Sequence, residues 1–345
     1  MSDDADGGLL AGMFGTRPDW LAAVLTVEAA LAGAAATTGR IPSAAATVIA
    51  RHCRPELFDR AGIARRAADH ATPIPPLVDD LRALLPPDIA DAVHTPATSQ
   101  DITDSALMLI AARAIDGLKD DLDFCVTATA RLAEEHRDTP QLGRTLLAAA
   151  LPTTFGRLAA TWHAGLAEAR DALARVRHER LAAQLGGPVG DLDEPALVTA
   201  FAHRLGLVAP SLCWHTNRVR VAELAAAAGL VTGVFGKLGQ DVLLLAQAEI
   251  GELSEGRPGG SSAMPHKRNG ARSVQLVACA HRAPGLVATV FGAMPQELQR
   301  AAGRWQAEWE PVADLLALAT AAIGHGRVLL AELRVDTIRM RDDLR

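Results

Sequence analysis

Residues 260–269 read GSSAMPHKRN, a stretch that joins two hydroxyl side chains and three basic side chains to a glycine-rich approach. The preceding residues 255–260 have the composition of a loop, whereas apolar residues recur at helical spacing after residue 270. Asn269 is a favourable N-cap for that helix, and the backbone N–H groups at a helix start attract carboxylate or phosphate. The stretch therefore predicts an anion site, and a solvated basic loop is the simpler alternative.

The composition limits the class of protein. A chain of 345 residues can bury a large core without disulfides, as one domain or two. The net charge of −6 comes from interspersed acidic and basic residues, which predicts neither a nucleic-acid partner nor a membrane partner. The four cysteines form no CxxC pair and the N-terminal sequence is acidic, so we expect a cytoplasmic protein with reduced thiols and no metal. No uninterrupted apolar run approaches the ~18 residues of a membrane span.

The periodicity of apolar residues predicts an all-α fold. Tyr is absent and aromatic residues make up 3% of the chain, so strand signals are weak, while abundant alanine favours close helix packing. We expect a small helical N-terminal domain over residues 1–95 and an elongated bundle of long helices over residues 96–345. Three short helices are expected before residue 86. The long helices are expected over residues 19–37, 101–137, 153–185, 210–255, 271–291 and 300–333.

Residues 95–101 read TPATSQD and form a polar loop that leads into a predicted long helix. Thr98 and Asp101 have the spacing of a capping box, which explains them without any ligand. Capping and ligand binding can coexist at one helix start. This loop is therefore a second candidate site.

Residues 143–156 read GRTLLAAALPTTFG, and their spacing predicts a helical segment that is kinked at Pro152. Periodicity alone assigns this segment to the core, because it is rich in alanine and leucine.

These motifs together resemble those of the fumarase/aspartase superfamily. The string GSSAMPHKRN is similar to the signature of that superfamily, residues 95–101 to its first motif, and residues 143–145 to its second. Leu146 and Ala148 stand where the second motif commonly has His and Gln. A bulky apolar residue in place of the His is typical of the 3-carboxy-cis,cis-muconate cycloisomerase branch. Further similarity to that branch lies in residues 214–216, 247–252 and 296–309.

The resemblance implies a reaction and a set of site residues. The reaction is lactonisation of 3-carboxy-cis,cis-muconate to 4-carboxymuconolactone, in the protocatechuate branch of the β-ketoadipate pathway, through an aci-carboxylate intermediate and without a cofactor. Ser261 and Lys267 are the catalytic residues that it implies, with His215 and His266 as alternative proton donors. The implied substrate-binding residues are Thr98, Ser99, Arg144, Thr145, Ser262, Met264, Asn269, Arg304 and Trp305.

The resemblance also implies a homotetramer whose active sites are shared between subunits and bind a small tricarboxylate. Three features depart from the family pattern: Gly270 replaces a proline, Leu298 replaces a commonly polar residue, and the chain ends where relatives continue into a third helical domain. Two alternatives therefore stay open, an adenylosuccinate lyase-like enzyme and a structural or binding member that has lost catalysis. Leu146 and the Trp-containing segment 305–309 disfavour the first of these.

Overall fold

The computed structural model describes residues 18–344 of the chain, which divide into two compact units. The described part of the first unit comprises residues 18–114, 176–223 and 289–311, and that of the second comprises residues 115–175, 224–288 and 312–344. Both units are assembled from separate stretches of the chain. The sequence predicted a different division, into an N-terminal domain that ends at residue 95 and a helix bundle that follows it. That boundary stays a prediction.

The described chain is mostly helical, which confirms the predicted fold class. The α-helices are α1 (Pro18–Thr37), α2 (Ser43–His52), α3 (Arg60–Ala67), α4 (Ile74–Ala83), α5 (Pro87–Ala90), α6 (Ser99–Glu135), α7 (Phe155–Arg175), α8 (Pro195–Leu205), α9 (Val219–Leu245), α10 (Ala271–Ala293), α11 (Arg304–Ala307), α12 (Trp309–Glu332) and α13 (Thr337–Asp342). The strands are β1 (Pro140–Thr145), β2 (Ala148–Thr154), β3 (Leu253–Ser254) and β4 (Arg334–Val335). Short 3-10 turns span Pro55–Leu57 and Ala68–His70, and a π-helical turn spans Val176–Arg180.

In the first unit, helix α1 packs against α2 and α8. Its side chains Trp20, Leu25 and Leu31 are at most 2% exposed, so the helix is buried on several faces. The three short helices α2, α3 and α4 were expected because prolines interrupt this part of the sequence, and Pro42 and Pro73 lie directly before α2 and α4. This part of the secondary-structure prediction is confirmed.

In the second unit, small residues let α9 and α10 approach closely. A Cβ atom added to Gly236 would lie 2.2 Å from the Cβ of Ala280, and one added to Gly239 would lie 2.8 Å from the Cβ of Leu276. Such distances are shorter than any real contact, so these two positions require glycine. The close helix packing that the alanine content predicted is therefore confirmed here.

Residues 140–154 form a β-hairpin, so the prediction of a kinked helix there is wrong. Strands β1 and β2 pair antiparallel, and the turn between them places Leu146 at φ 51° and Leu147 at φ 64°. Leucine rarely adopts this left-handed conformation, so local propensity did not indicate the turn. Strand β1 also contacts α13, a partner that is distant in the sequence.

Two predicted long helices end earlier than expected. The helix predicted over residues 153–185 ends in the π-helical turn, after which Ala182 forms a parallel bridge with Val208. The backbone N–H of Val208 donates to Leu181 and that of Ala183 donates to Val208, at 2.9 and 3.0 Å. The helix predicted over residues 210–255 is confirmed only over α9. At the end of the helix predicted over residues 153–185, pairing with the distant Val208 replaced the local helical hydrogen bonds.

Four helical stretches are long and apolar enough to cross a membrane by length and composition alone, contrary to the expectation of none: Trp20–Thr37, Val219–Leu245, Ala271–Ala293 and Arg304–Glu332. The mean hydropathy of these stretches is high because alanine, leucine and valine are abundant in them. Polar residues or glycines still interrupt their apolar runs. Helices that pack on several sides have the same composition. Burial within the chain reaches 56–67% of the window in three of them but only 28% in α10. Helix α10 therefore presents the most uncovered surface of the four.

Candidate functional site

The predicted site residues divide between the two compact units. The first unit contains Thr98, Ser99, His215, Arg304 and Trp305. The second unit contains Arg144, Thr145, Ser261, Ser262, Met264, His266, Lys267 and Asn269. Some of these side chains are accessible to a ligand, and others are already hydrogen-bonded to other residues of the described chain.

Residues 259–269, here called the signature loop, form a loop in the second unit whose two ends are hydrogen-bonded to each other. The backbone N–H of Gly259 donates to the carbonyl of Asn269 at 2.8 Å, and that of Asn269 donates to Gly259 at 2.9 Å. The side chain of Asn269 also donates to the carbonyl of Gly260, at 3.0 Å. Asn269 thus fastens the base of the loop. The prediction that it caps the following helix is wrong, because α10 begins at Ala271.

The start of α10 is capped by Glu255 instead. One oxygen of its carboxylate accepts hydrogen bonds from the backbone N–H and the hydroxyl of Ser273, at 2.8 and 2.7 Å, and the other accepts from the N–H of Arg272 at 3.1 Å. Glu255 is 7% exposed. The anion expected at this helix start is therefore the chain's own carboxylate, and the signature loop must attract a ligand with its side chains.

The hydroxyl of Ser261 lies near the start of the signature loop. It accepts hydrogen bonds from the backbone N–H groups of Ala263 and Met264, at 3.3 and 3.1 Å. Ser261 is partly exposed, and residues 262–268 are exposed. The Ser261 hydroxyl proton is not needed for these two bonds, so the group can still donate it to a ligand.

Lys267 and Arg268 supply the positive charge of the loop. Both side chains are exposed, and within residues 18–344 neither forms an ion pair with a carboxylate. Their charge is therefore not neutralised inside the described chain. Two free cations beside two hydroxyl groups form a surface that favours a polyanion.

Arg144, by contrast, is engaged inside the second unit. Its guanidinium donates to Glu252 at 2.7 Å and to Asp343 at 3.3 Å. Glu252 is fully buried and also accepts from the side chain of Gln141 at 2.6 Å. Arg144 therefore neutralises a buried carboxylate and fixes β1, and its predicted role as a substrate ligand has to compete with these bonds.

A cavity of about 1120 Å³ in the second unit is lined by Arg144 and Thr145 from β1. Leu158 and Thr161 of α7 and residues 241–250 form other parts of its wall. Thr145 is exposed at the end of its strand. The cavity thus places one predicted ligand, Thr145, on an accessible surface next to the bound guanidinium of Arg144.

In the first unit, Asp101 is the centre of a buried hydrogen-bond network. One carboxylate oxygen accepts from the N–H groups of Thr98 and Gly187, both at 2.9 Å. The other accepts from the N–H of Gly186 at 2.9 Å and from Nε2 of His215 at 2.7 Å. The bond between Thr98 and Asp101 is one half of the predicted capping box. The hydroxyls of Thr98 and Ser99 have no protein partner within the described residues.

His215 is a buried cation. Burial lowers its pKa, but the hydrogen bond to Asp101 and the interaction with Cys213 outweigh burial and raise the pKa to about 9. Its side chain is 3% exposed, and Nδ1 has no hydrogen-bond partner within the described residues. A pKa of about 9 keeps His215 protonated at neutral pH, so it gives up its proton less readily than an ordinary histidine.

A second buried cluster was not predicted from the sequence. Arg218 is fully buried and binds Asp104 at 2.8 and 3.0 Å, and it also donates to Glu308. Burial raises the pKa of Glu308 to about 7, although Arg218 lowers it. These three charges are more than eighty positions apart in the sequence, so no spacing rule connects them. The only local signal was the position of Asp104 one helical turn after Asp101.

This cluster also defines the surroundings of Trp305 and Arg304. The indole N–H of Trp305 donates to Asp104 at 3.0 Å, and Trp305 is 2% exposed. The ring packs edge to face against Trp309 with centroids 4.8 Å apart. Arg304 is exposed and donates to the carbonyl of Pro295. The structure therefore makes Trp305 part of the core, and the ligand role of both residues stays a prediction.

His94 is another residue that the motif analysis missed. Its Nδ1 lies 2.7 Å from Oε1 of Glu28, which is 1% exposed. Burial lowers the pKa of His94, but the Glu28 charge and hydrogen bond raise it above its usual value. His94 lies four positions before Thr98 in the polar loop, and this proximity was the available signal. It brings a second imidazole–carboxylate pair to the same end of α6.

The pKa of His215 predicts how stability depends on pH. A histidine whose pKa rises from 6.5 to about 9 on folding contributes stability that is complete below pH 6.5 and is lost as the pH rises through 9. The loss is about 3 kcal/mol in the free energy of unfolding. Urea titrations of the wild type and of His215→Gln, followed by circular dichroism, should give a stability difference that shrinks between pH 6.5 and 9. A difference that does not vary with pH would contradict the assignment.

The chain is similar to known lyases and cycloisomerases over most of its length. A family model described as "Lyase" matches residues 18–285. The chain is 44% identical over 336 residues to a 3-carboxy-cis,cis-muconate cycloisomerase of Pseudomonas aeruginosa, covering 94% of this chain and 73% of that protein. It is 40% identical to a nitrosuccinate lyase of Streptomyces davaonensis, covering 94% and 72%. The crystal structure of the 3-carboxy-cis,cis-muconate lactonizing enzyme from Pseudomonas putida superposes with a TM-score of 0.88 at 38% identity, covering 94% of this chain and 74% of that one.

Proposed function

Because this chain belongs to the lyase family, the fumarase/aspartase superfamily that its motifs predicted, we propose that it lactonises 3-carboxy-cis,cis-muconate to 4-carboxymuconolactone. The signature loop carries this proposal. It presents the hydroxyl of Ser261 and the free charges of Lys267 and Arg268 on a base fixed by hydrogen bonds. Such a surface suits a substrate with three carboxylates, and the names of similar proteins support this particular tricarboxylate.

The proposed reaction forms one C–O bond and one C–H bond. A carboxylate oxygen of the substrate attacks a carbon of the conjugated double bond, and the electron pair moves onto the neighbouring carboxylate as an aci-carboxylate. The Ser261 hydroxyl then delivers its proton to the carbon beside that carboxylate, and solvent restores the proton to the serine. Serine is a weak acid, so this step needs nearby cations and exclusion of water.

Lys267 is the group that we propose stabilises the aci-carboxylate. Charge builds up on the carboxylate oxygens only as the new bond forms, so a cation fixed beside them lowers the barrier more than it strengthens substrate binding. We propose the hydroxyls of Thr98, Ser99, Thr145 and Ser262, with Met264, as further substrate contacts. His266 is exposed in the same loop and remains the alternative proton donor.

The test is an assay of the purified protein with 3-carboxy-cis,cis-muconate, followed by loss of its ultraviolet absorbance and by identification of the lactone. Turnover is the expected result. Nitrosuccinate and adenylosuccinate, assayed in parallel by chromatography, represent the second candidate, a β-elimination lyase. The identity to the nitrosuccinate lyase is the observation that favours it. Turnover of either compound without any lactonisation would overturn the proposal.

We propose that the enzyme is a homotetramer with active sites shared between subunits. Two surfaces of the second unit support association. On the hairpin, Leu146 and Leu147 of the turn and Leu151 of β2 are 103%, 74% and 83% exposed. Helix α10 leaves most of its apolar window uncovered, including Val274. Apolar surfaces of this kind are typical of association sites, which here would be met by other copies of the chain.

Replacing Leu146 and Leu147 together by glutamate should dissociate the tetramer. Both side chains are exposed within one chain, so the double variant should keep its helical circular dichroism while light scattering reports a smaller mass. Leu212→Glu is the matched control, because Leu212 is 80% exposed but lies outside the hairpin and α10. A double variant with the wild-type mass would show that the hairpin tip is not an interface.

We also propose a cytoplasmic location. The four cysteines Cys53, Cys125, Cys213 and Cys279 are free thiols. Burial, with the nearby charge of Glu28, raises the pKa of Cys53 to about 12. Unpaired cysteines of this kind are typical of a reducing compartment.

A further inference from the structure

A single buried carboxylate, that of Asp101, joins three segments of the first unit. It binds the backbone of Thr98 at the start of α6, the backbone of residues 186–187, and the side chain of His215. The four hydrogen bonds measure 2.7–2.9 Å, and Asp101 is fully buried. Every partner is a donor, so the site is built for an ionised carboxylate and for no other side chain.

This carboxylate is close in sequence to the hydroxyls proposed to bind substrate, and it accepts a hydrogen bond from the backbone N–H of Thr98. Thr98 and Ser99 are partly exposed, and Asp101 is two positions from Ser99. A bare negative charge at this place would repel a substrate carboxylate through a poorly screening interior. The turn at Thr98 and Ser99 can therefore bind an anion only if a positive charge balances the carboxylate of Asp101.

His215 is the group that balances it. Its Nε2 lies 2.7 Å from the Asp101 carboxylate, and both side chains are at most 3% exposed. The titratable groups that face His215 are Asp101, from the start of α6, and Cys213, two positions earlier in its own segment. His94 faces Asp101 from the position just before the polar loop, but its imidazole is hydrogen-bonded to Glu28. His215 is thus the direct partner of the Asp101 charge.

The same contacts disfavour His215 as a proton donor. The proton on Nε2 is held by Asp101, and loss of that proton would leave a buried carboxylate uncompensated. The other nitrogen, Nδ1, is buried and has no partner within the described residues. A Cβ atom at Gly190 would lie 3.6 Å from Nδ1, so backbone covers this side of the ring.

We propose that Asp101 is a positioning residue for the Thr98–Ser99 turn and that His215 is its fixed counter-charge, acting on substrate binding and not on proton transfer. This inference rests on the proposed lactonisation for its substrate. Asp101 holds the backbone that carries the two hydroxyls, and His215 keeps that turn electrically favourable for a carboxylate. The role is electrostatic and conformational, and neither side chain touches the reacting atoms.

The experiment compares His215→Gln with the double variant Asp101→Asn/His215→Gln. The single variant leaves Asp101 charged and unbalanced, so KM for 3-carboxy-cis,cis-muconate should rise about tenfold while kcat stays within about threefold. The double variant removes both charges but puts an amide in place of the carboxylate that holds the turn, so it should recover part of the lost affinity. The dissociation constant of propane-1,2,3-tricarboxylate, an unreactive tricarboxylate, should change in the same pattern by calorimetry. His52→Gln is the control, because within residues 18–344 the His52 side chain bonds only to a backbone carbonyl of its own helix.

The outcomes separate this inference from the proposed function. A large fall in kcat with unchanged KM in His215→Gln would make His215 the proton donor and overturn the inference. Equal weakening in the single and double variants would reduce the pair to a structural role and also overturn it. Absence of muconate turnover in the wild type, with the expected pattern in tricarboxylate binding, would overturn the proposed function and leave the inference standing. A wild type that neither turns over muconate nor binds the tricarboxylate would overturn both.

Discussion

Replacement of Ser261 by alanine is expected to lower kcat for lactonisation by a factor of about 10²–10⁴, the usual contribution of a positioned proton donor. KM should change little, because the hydroxyl acts on a carbon centre and not on a carboxylate. The stability should also change little. Among the described residues, the Ser261 side chain accepts only two hydrogen bonds, both from backbone groups of an exposed loop. Steady-state ultraviolet assays together with thermal unfolding would measure both quantities.

Ser254→Ala is the matched control for this variant. Ser254 is an exposed serine of β3 in the same unit, and it precedes the signature loop. Its replacement should leave both kcat and KM unchanged. Equal rates for Ser261→Ala and the wild type would reject Ser261 as the proton carrier and transfer that role to His266, the other candidate in the loop.

The long helices could be predicted from the sequence because their signals are local. Helix α6 was expected from residue 101 to 137 and spans Ser99–Glu135, while α10 was expected from residue 271 to 291 and spans Ala271–Ala293. In both cases apolar spacing and a loop on at least one side define the helix. The signature string likewise indicated the family correctly, since its residue types are specific and contiguous.

The hairpin and the true cap of α10 could not be predicted because their causes are not local. Residues 146–151 read LLAAAL, which favours a helix by intrinsic propensity, and the hairpin requires two leucines in the left-handed region. Asn269 has the residue type of an N-cap, but its backbone is already paired with Gly259. Glu255, fourteen positions earlier, takes its place. Tertiary pairing overrode the local preference in both cases.

The candidate site was predictable where it consists of contiguous motifs and unpredictable where it consists of buried charges. Short strings suggested the hydroxyls of Thr98 and Ser261 as ligands, and their roles stay predictions. The strings suggested Arg144 as well but not its pairing with Glu252, because residues 144 and 252 are linked only through the fold. Buried ion pairs leave no spacing pattern, so a sequence shows the charged residues without showing their partners.

Replacement of Arg218 by methionine is expected to destabilise the protein by about 3–5 kcal/mol, because it leaves two buried carboxylates without their counter-charge. Arg218 bonds Asp104 and Glu308, and all three side chains are at most 1% exposed. The guanidinium also lies over the ring of Trp214, 5.0 Å from its centroid, and that contact is lost as well. Denaturant titration followed by circular dichroism would measure the loss.

The double variant Arg218→Met/Glu308→Gln tests the reason for this loss. It removes one of the two uncompensated charges, so it should recover part of the stability that the single variant loses. Arg327→Met is the matched control, since Arg327 pairs with Asp121 at 2.7 Å on an exposed surface, and it should cost at most about 1 kcal/mol. If Arg218→Met proved no less stable than Arg327→Met, the buried cluster would not be the electrostatic centre of the first unit, and the segments that carry Thr98 and His215 would owe their positions to other contacts.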